Sequence, residues 1–127
     1  MDYQHFITMI KERAHVPEED PERLACTTLH TLAQRISKGE AEDLAVRLPE
    51  QLQRCIEHEG PREQFDVDEF IQRIAETLGV DRSTAEQDAR AVLAALWRAV
   101  GPKEFDDMRS ELPKDFGPLL DDAVGAS

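Results

Sequence analysis

The sequence predicts an all-α protein, a single domain of about eight helices formed by two related repeats, and three observations carry that prediction. The chain resembles itself at an ungapped offset of 64 residues: Phe6 pairs with Phe70, Ile7 with Ile71, Ile10 with Ile74, Val16 with Val80, Ala25 with Ala89, Leu29 with Leu93 and Leu32 with Leu96. The register continues through Glu40 with Glu104, Asp43 with Asp107, Leu48 with Leu112 and Pro49 with Pro113. Such self-similarity marks a repeated supersecondary unit. The matched apolar residues also recur three and four apart, the spacing of one helix face. No alternating run of β-branched and aromatic residues is long enough for a strand.

Each element has its own start and stop signals. Asp2 precedes Phe6, Ile7 and Ile10, a short amphipathic helix ending near Ala14. Asp20 followed by Pro21 opens a longer helix, because proline suits the first turn, and Leu24, Cys26, Leu29, Leu32 and Ile36 form its apolar stripe. Ser37-Lys38-Gly39-Glu40 is a Ser-x-x-Glu capping box that starts a third helix. That helix must stop before Leu48-Pro49, since the residue before a proline is pushed out of helical conformation, and Pro49 then begins a fourth short helix.

The second copy repeats these signals. Asp66 and Glu69 cap a helix through Phe70, Ile71, Ile74 and Leu78; Ser83 with Glu86 opens the next, striped by Ala89, Val92, Leu93, Leu96 and Val100. Gly101-Pro102-Lys103-Glu104 starts the third, and the fourth, from Pro113, is cut short by Gly117-Pro118. The repeats therefore span about residues 2–57 and 66–120 of one domain, 1–120, joined by Glu57 to Gln64 around Gly60-Pro61, with 121–127 expected as a flexible tail. One unit cannot hide its long stripe alone, so the two should pack about a pseudo-twofold axis. The largest breaks in the likeness are Ala33 against Trp97 and Ala41 against Phe105, each a small residue placed to receive a large one from the other half.

The Phe6 to Ile10 face, the Leu29 to Ile36 stripe, the Gly39-Glu40-Ala41 turn, the Leu48-Pro49 pair and above all the segment RISKGEAEDLAVRLPEQL resemble the prokaryotic "domain of unknown function 2267" family, over roughly Met1 to Leu120. The resemblance implies an all-helical fold and a small soluble bacterial or archaeal protein. It brings no catalytic residues to carry across. The second copy departs from the pattern at Gly101-Pro102-Lys103.

Charge narrows the function classes. The formal charge of −12 is spread over both halves, with 7 basic and 12 acidic residues in 1–60 and 8 and 15 in 61–127. Phosphate binding needs a concentrated basic stripe, so no direct nucleic-acid ligand is expected. No apolar run approaches the roughly 18 residues of a membrane span, no leader is evident, and no membrane association is expected. Cys26 and Cys55 match no Cys-x-x-Cys spacing and are read as reduced thiols in a cytoplasm, Cys26 in the core and Cys55 more exposed. The excess of Arg over Lys and the many alanines fit a GC-rich prokaryotic genome.

Candidate chemistry falls short of a mechanism. Glu40-x-x-Asp43 and Glu104-x-x-Asp107 carry carboxylates but lack the histidine of a helix-bundle metal site. Helix capping explains the two glutamates, and the two aspartates are read as bonding the Leu-Pro turns. Asp66-Val67-Asp68-Glu69 lacks the glycine and distal glutamate of a calcium loop and reads as a helix start. His5, His15, His30 and His58 have no partner four residues away and no counterpart in the second copy. No Gly-x-Ser-x-Gly elbow or Gly-rich phosphate loop occurs. No catalytic, metal-binding or cofactor-binding residue is assigned, and no cofactor is expected.

The expected function is a non-enzymatic, cytoplasmic protein-interaction or regulatory module with another protein as its partner. Leu48, Pro49, Leu112 and Pro113 are the partner-binding candidates, as symmetric lips of a groove, although backbone sterics alone explain a Leu-Pro helix start. The alternative is a small-ligand or metal-binding protein, or an enzyme, using a cleft between the repeats. A third reading, an acidic decoy for basic proteins, requires the carboxylates to gather on one face.

Overall fold

Apolar residues recurring at helical spacing between cap signals dictate helices, and the computed structural model, which describes residues 1–14 and 20–125, contains helices and no strand among them. In chain order they are α1 (Tyr3–Arg13), α2 (Pro21–Arg35), α3 (Lys38–Ala45), a 3-10 helix Glu50–Ile56, α4 (Val67–Leu78), α5 (Arg82–Val100), α6 (Pro102–Arg109), a 3-10 turn Lys114–Phe116 and α7 (Gly117–Gly125). Val16, with its match to Val80, and His15 lie outside the described residues.

Side-chain oxygens fix most helix starts by accepting backbone N–H groups that have no partner within the helix. Asp2 accepts from the His5 amide at 2.8 Å, Asp20 from Glu22 at 3.0 Å, Ser37 from Glu40 at 3.2 Å and Asp66 from Glu69 at 2.9 Å. The long helix of the second half starts earlier than its Ser83 signal suggested: Asp81 caps it, accepting from Thr84 at 2.8 Å. Gly79 ends α4 at φ +71° and Gly101 joins α5 to α6 at φ +88°, values that side chains with a Cβ rarely adopt.

The expected tail from residue 121 is not what forms. Gly117-Pro118 starts α7 rather than stopping a helix, because a first-turn proline gives up an N–H that would be unpaired anyway. Leu119, Leu120 and Ala123 form its buried face, and α7, which runs to Gly125, packs on α5.

The long helices α2 and α5 touch and form the centre. Two shorter helices pack on both of them, α1 on α2 and α5, and α4 on α5 and α2. Phe6, Ile10, Leu29, Leu32, Phe70, Ile74, Leu93, Leu96, Phe105 and Phe116 are buried in one continuous core, with the Phe70 and Phe116 rings edge to face at 5.3 Å. The bounds of α3 and α6 stand 64 residues apart at both ends.

The join between the halves lies against α2. The Glu63 amide donates to the Gln34 carbonyl at 2.9 Å, Arg35 Nε to Phe65 O at 2.8 Å and Arg62 Nε to Arg35 O at 3.1 Å. Arg73 covers the Phe65 ring at 4.1 Å and pairs with Glu63 and Glu69 at 2.9 and 2.8 Å.

Packing of α2 on the 3-10 helix Glu50–Ile56 also overturns the reading of the cysteines. Cys26 and Cys55 form a disulfide across that contact, with Cα atoms 4.9 Å apart, inside the range a bridge requires. Cys55 is buried and Cys26 half-buried, the reverse of the expected order. Spacing rules detect neighbouring thiols, and a pair 29 residues apart meets only through tertiary packing.

Candidate functional site

Two features are built around α3. One is a groove of about 540 Å³, within the range of ligand pockets, lined by residues of α2, α3, the 3-10 helix and the join. Ala33, Ile36, Ala41, Ala45 and Ile56 give it an apolar floor, while Lys38, Glu42, Glu57, His58, Glu59 and Arg62 give it a rim of both charge signs. All its lining residues fall between 33 and 62, so it belongs to the first half and not to a cleft between halves. Ala33 and Ala41, the two positions where the second half has Trp97 and Phe105, both line it. Both are buried, and α3 packs on α6, the helix that carries Phe105.

The other is a carboxylate cluster where α3 meets α6. Glu40 and Glu104, each in the first turn of its helix, are 7 and 6 % exposed, and their nearest oxygens lie with one of Asp43 within 4.8 Å of one another. Arg47 Nη1 approaches Glu104 Oε1 at 3.3 Å and donates to the Asp43 carbonyl at 2.6 Å. The Oε2 atoms of Glu40 and Glu104 are buried with no hydrogen-bond partner among the described residues.

Neither glutamate does the capping expected of it. In the Ser37 box, Glu111 replaces Glu40: the Ser37 amide donates to Glu111 Oε1 at 2.7 Å and the Ser37 hydroxyl to Oε2 at 2.8 Å. α6 has no side-chain cap at all, its start being set by Gly101 and Pro102. Freed from that duty, the two carboxyls turn toward each other. The signal that could have found them was their recurrence at one offset, which capping had absorbed. The aspartates separate: Asp43 joins the cluster, and Asp107 faces Lys103 at 3.9 Å.

Burial first, then a side-chain hydrogen bond with Glu104 through the retained proton, and then the negative charge of Glu104, push the Glu40 carboxyl up to about 8 from its ordinary 4.5. Between those values the folded chain holds a proton that the unfolded chain has lost. This contribution to stability is therefore complete below about pH 4.5 and drains away as pH rises through 8. Glu40→Gln is expected to flatten the decline and to stabilise the fold at alkaline pH by about 1–3 kcal/mol, the scale of an unmet buried polar group. Urea unfolding across pH in chelator-treated buffer reads both effects; an identical slope in the variant would show that the proton resides elsewhere.

The remaining candidates are dispersed. Leu48 and Pro49 are buried, Leu112 and Pro113 half-buried, and none of the four lines the groove. His30 and His58, unrelated in sequence, meet edge to face at 6.1 Å beside the groove rim. Asp66 caps α4 and Asp68 pairs with Arg82 at 3.1 Å, as a helix start requires. With Cys26 and Cys55 bonded to each other, neither presents a free thiol. No described helix is long and apolar enough to cross a membrane.

Fold and sites together define an all-helical protein with an open groove of mixed polarity and, among the described residues, a buried carboxylate pair between its halves. The chain belongs to the family described as "Uncharacterized conserved protein (DUF2267)", whose pattern matches residues 3–119. No curated protein matches it.

Proposed function

We propose that the protein is a non-enzymatic interaction module that holds a segment of a partner protein in the α2–α3 groove. One observation carries the reading. The groove is lined by Ala33 and Ala41, at positions where the second half has tryptophan and phenylalanine. In this reading the chain is a duplicated unit, one copy filled by its own aromatics and the other left open for an apolar anchor from outside. The mixed-sign rim suits a partner segment carrying charges of both kinds beside that anchor. Leu112 and Pro113 keep accessible surface and serve as a secondary contact, whereas Leu48 and Pro49 act by packing. Cytoplasmic residence is proposed with it, on the sparse cysteines. The disulfide pulls the other way, toward an oxidising compartment, and the redox state of the native protein decides.

Affinity capture with two baits tests this. The wild-type chain is expected to retain a defined protein that an Ala33→Trp/Ala41→Phe chain, of unchanged helical content, loses by at least about tenfold, the loss from blocking a central anchor pocket. Equal recovery by both baits would sink the proposal. A thermal upshift with a metabolite, abolished by the same filling substitutions, would assign the groove to a small ligand instead.

A further inference from the structure

We infer that Glu40, Asp43 and Glu104 form a binding site for one hard divalent cation of calcium's size, at the contact between α3 and α6. The donors are all carboxylate oxygens from two helices, the chemistry that hard cations select over softer metals. Oxygens on opposite sides of a bound calcium stand roughly 4.6–5.2 Å apart, so three donors within 4.8 Å of one another surround such an ion with little movement. The smaller magnesium, with opposite oxygens roughly 4.0–4.2 Å apart, would need the helices drawn closer.

A second observation, independent of the clustering, points to a ligand. Glu40 and Glu104 are each more than nine-tenths buried, and each keeps one oxygen, Oε2, without a hydrogen-bond donor among the described residues. Buried carboxylate oxygens are normally satisfied, because leaving one bare sacrifices its hydration without return. The capping roles that would have occupied these side chains are filled by Glu111 at α3 and by the Gly101-Pro102 backbone at α6.

Charge agrees. Three ionised carboxylates beside the single Arg47 guanidinium leave two negative charges. A proton shared by Glu40 and Glu104 neutralises one of them, whereas a divalent cation neutralises both and gives each bare oxygen a partner. Asp43 is exposed, so an ion has a route in from solvent and room to keep some water ligands. The ion would bridge residues 64 positions apart and tie the two halves together through their matching helices.

The test uses the full chain, stripped with chelator and titrated with Ca²⁺ or Mg²⁺ alone, near pH 7.5 (about the working range). Calorimetry is expected to give one Ca²⁺ per chain, and saturating Ca²⁺ to raise Tm by about 3–8 °C. Asp43→Asn, on the exposed side, should shift the metal-free Tm less than Glu40→Gln does and weaken Ca²⁺ by at least about tenfold. Glu40→Gln should raise the metal-free Tm and lose most of the Ca²⁺ response. A wild-type Tm indifferent to Ca²⁺ would overturn the site and leave a proton-sharing pair. So would a Ca²⁺ response of equal size in both variants, which would place the ion elsewhere on this acidic surface. None of the three ligands lines the groove, and filling it by Ala33→Trp alone changes α2 and no residue of α3 or α6, so either reading can fail alone.

Discussion

Reducing the Cys26–Cys55 bridge is expected to lower stability by about 3–4 kcal/mol, the loop-closure entropy of the 29-residue separation it spans. The bridge acts mainly on the unfolded chain, by denying it conformations, so the folded core should survive reduction with its helices in place. Denaturation with and without a phosphine reductant measures the difference, and Cys26→Ala/Cys55→Ala should reproduce it. A reduced chain as stable as the oxidised one would mean that the α2 contact with the 3-10 helix already restrains these residues in the unfolded ensemble. It would leave the bridge without a stabilising role.

Leu29→Ala and Leu93→Ala are each expected to cost about 2–5 kcal/mol. Both side chains are essentially inaccessible, at 0 and 1 % exposure, in the two long helices that touch at the centre. Truncation there removes transfer free energy and leaves a cavity that helices bound on several sides cannot close. Calorimetric melting reads the effect, and losses below about 1 kcal/mol at both positions would mean that the core is organised around other residues.

Much of this fold was legible because it depends on local chemistry. The Asp2, Asp20, Ser37 and Asp66 starts follow from oxygens placed two or three residues before an unpaired amide, and the stripes of α2 and α5 follow from helical spacing. Errors arose where two local signals competed. Gly117-Pro118 has the composition of a stop, yet Leu119, Leu120 and Ala123 had one face to bury against α5, and proline at a helix start opposes nothing. Asp81 and Ser83 were both competent caps for α5, and the carboxylate took the position.

The candidate site was harder to foresee because its parts are non-local. Glu40 and Glu104 were visible as a recurring pair, but capping offered a sufficient local explanation. Only the position of Glu111, 74 residues from Ser37, shows that capping does not employ Glu40. The disulfide and the histidine contact are of the same kind: pairs that exist once α2 lies against the segment near residue 55. The groove was half legible, since Ala33 and Ala41 stood out as small residues opposite aromatics, but its other walls come from the 3-10 helix and the join, which only tertiary packing brings beside them.

The Glu111 carboxylate that receives both the Ser37 amide and hydroxyl has a companion in its own main-chain carbonyl, which accepts from Arg62 at 2.9 Å. The start of a helix in one half is thus completed by an atom that only the other half supplies. Whatever its ancestry, the leading portion does not retain self-sufficiency. An excised leading fragment would meet water with an unfinished helix and a bared flank, and its most natural remedy would be to recruit a twin.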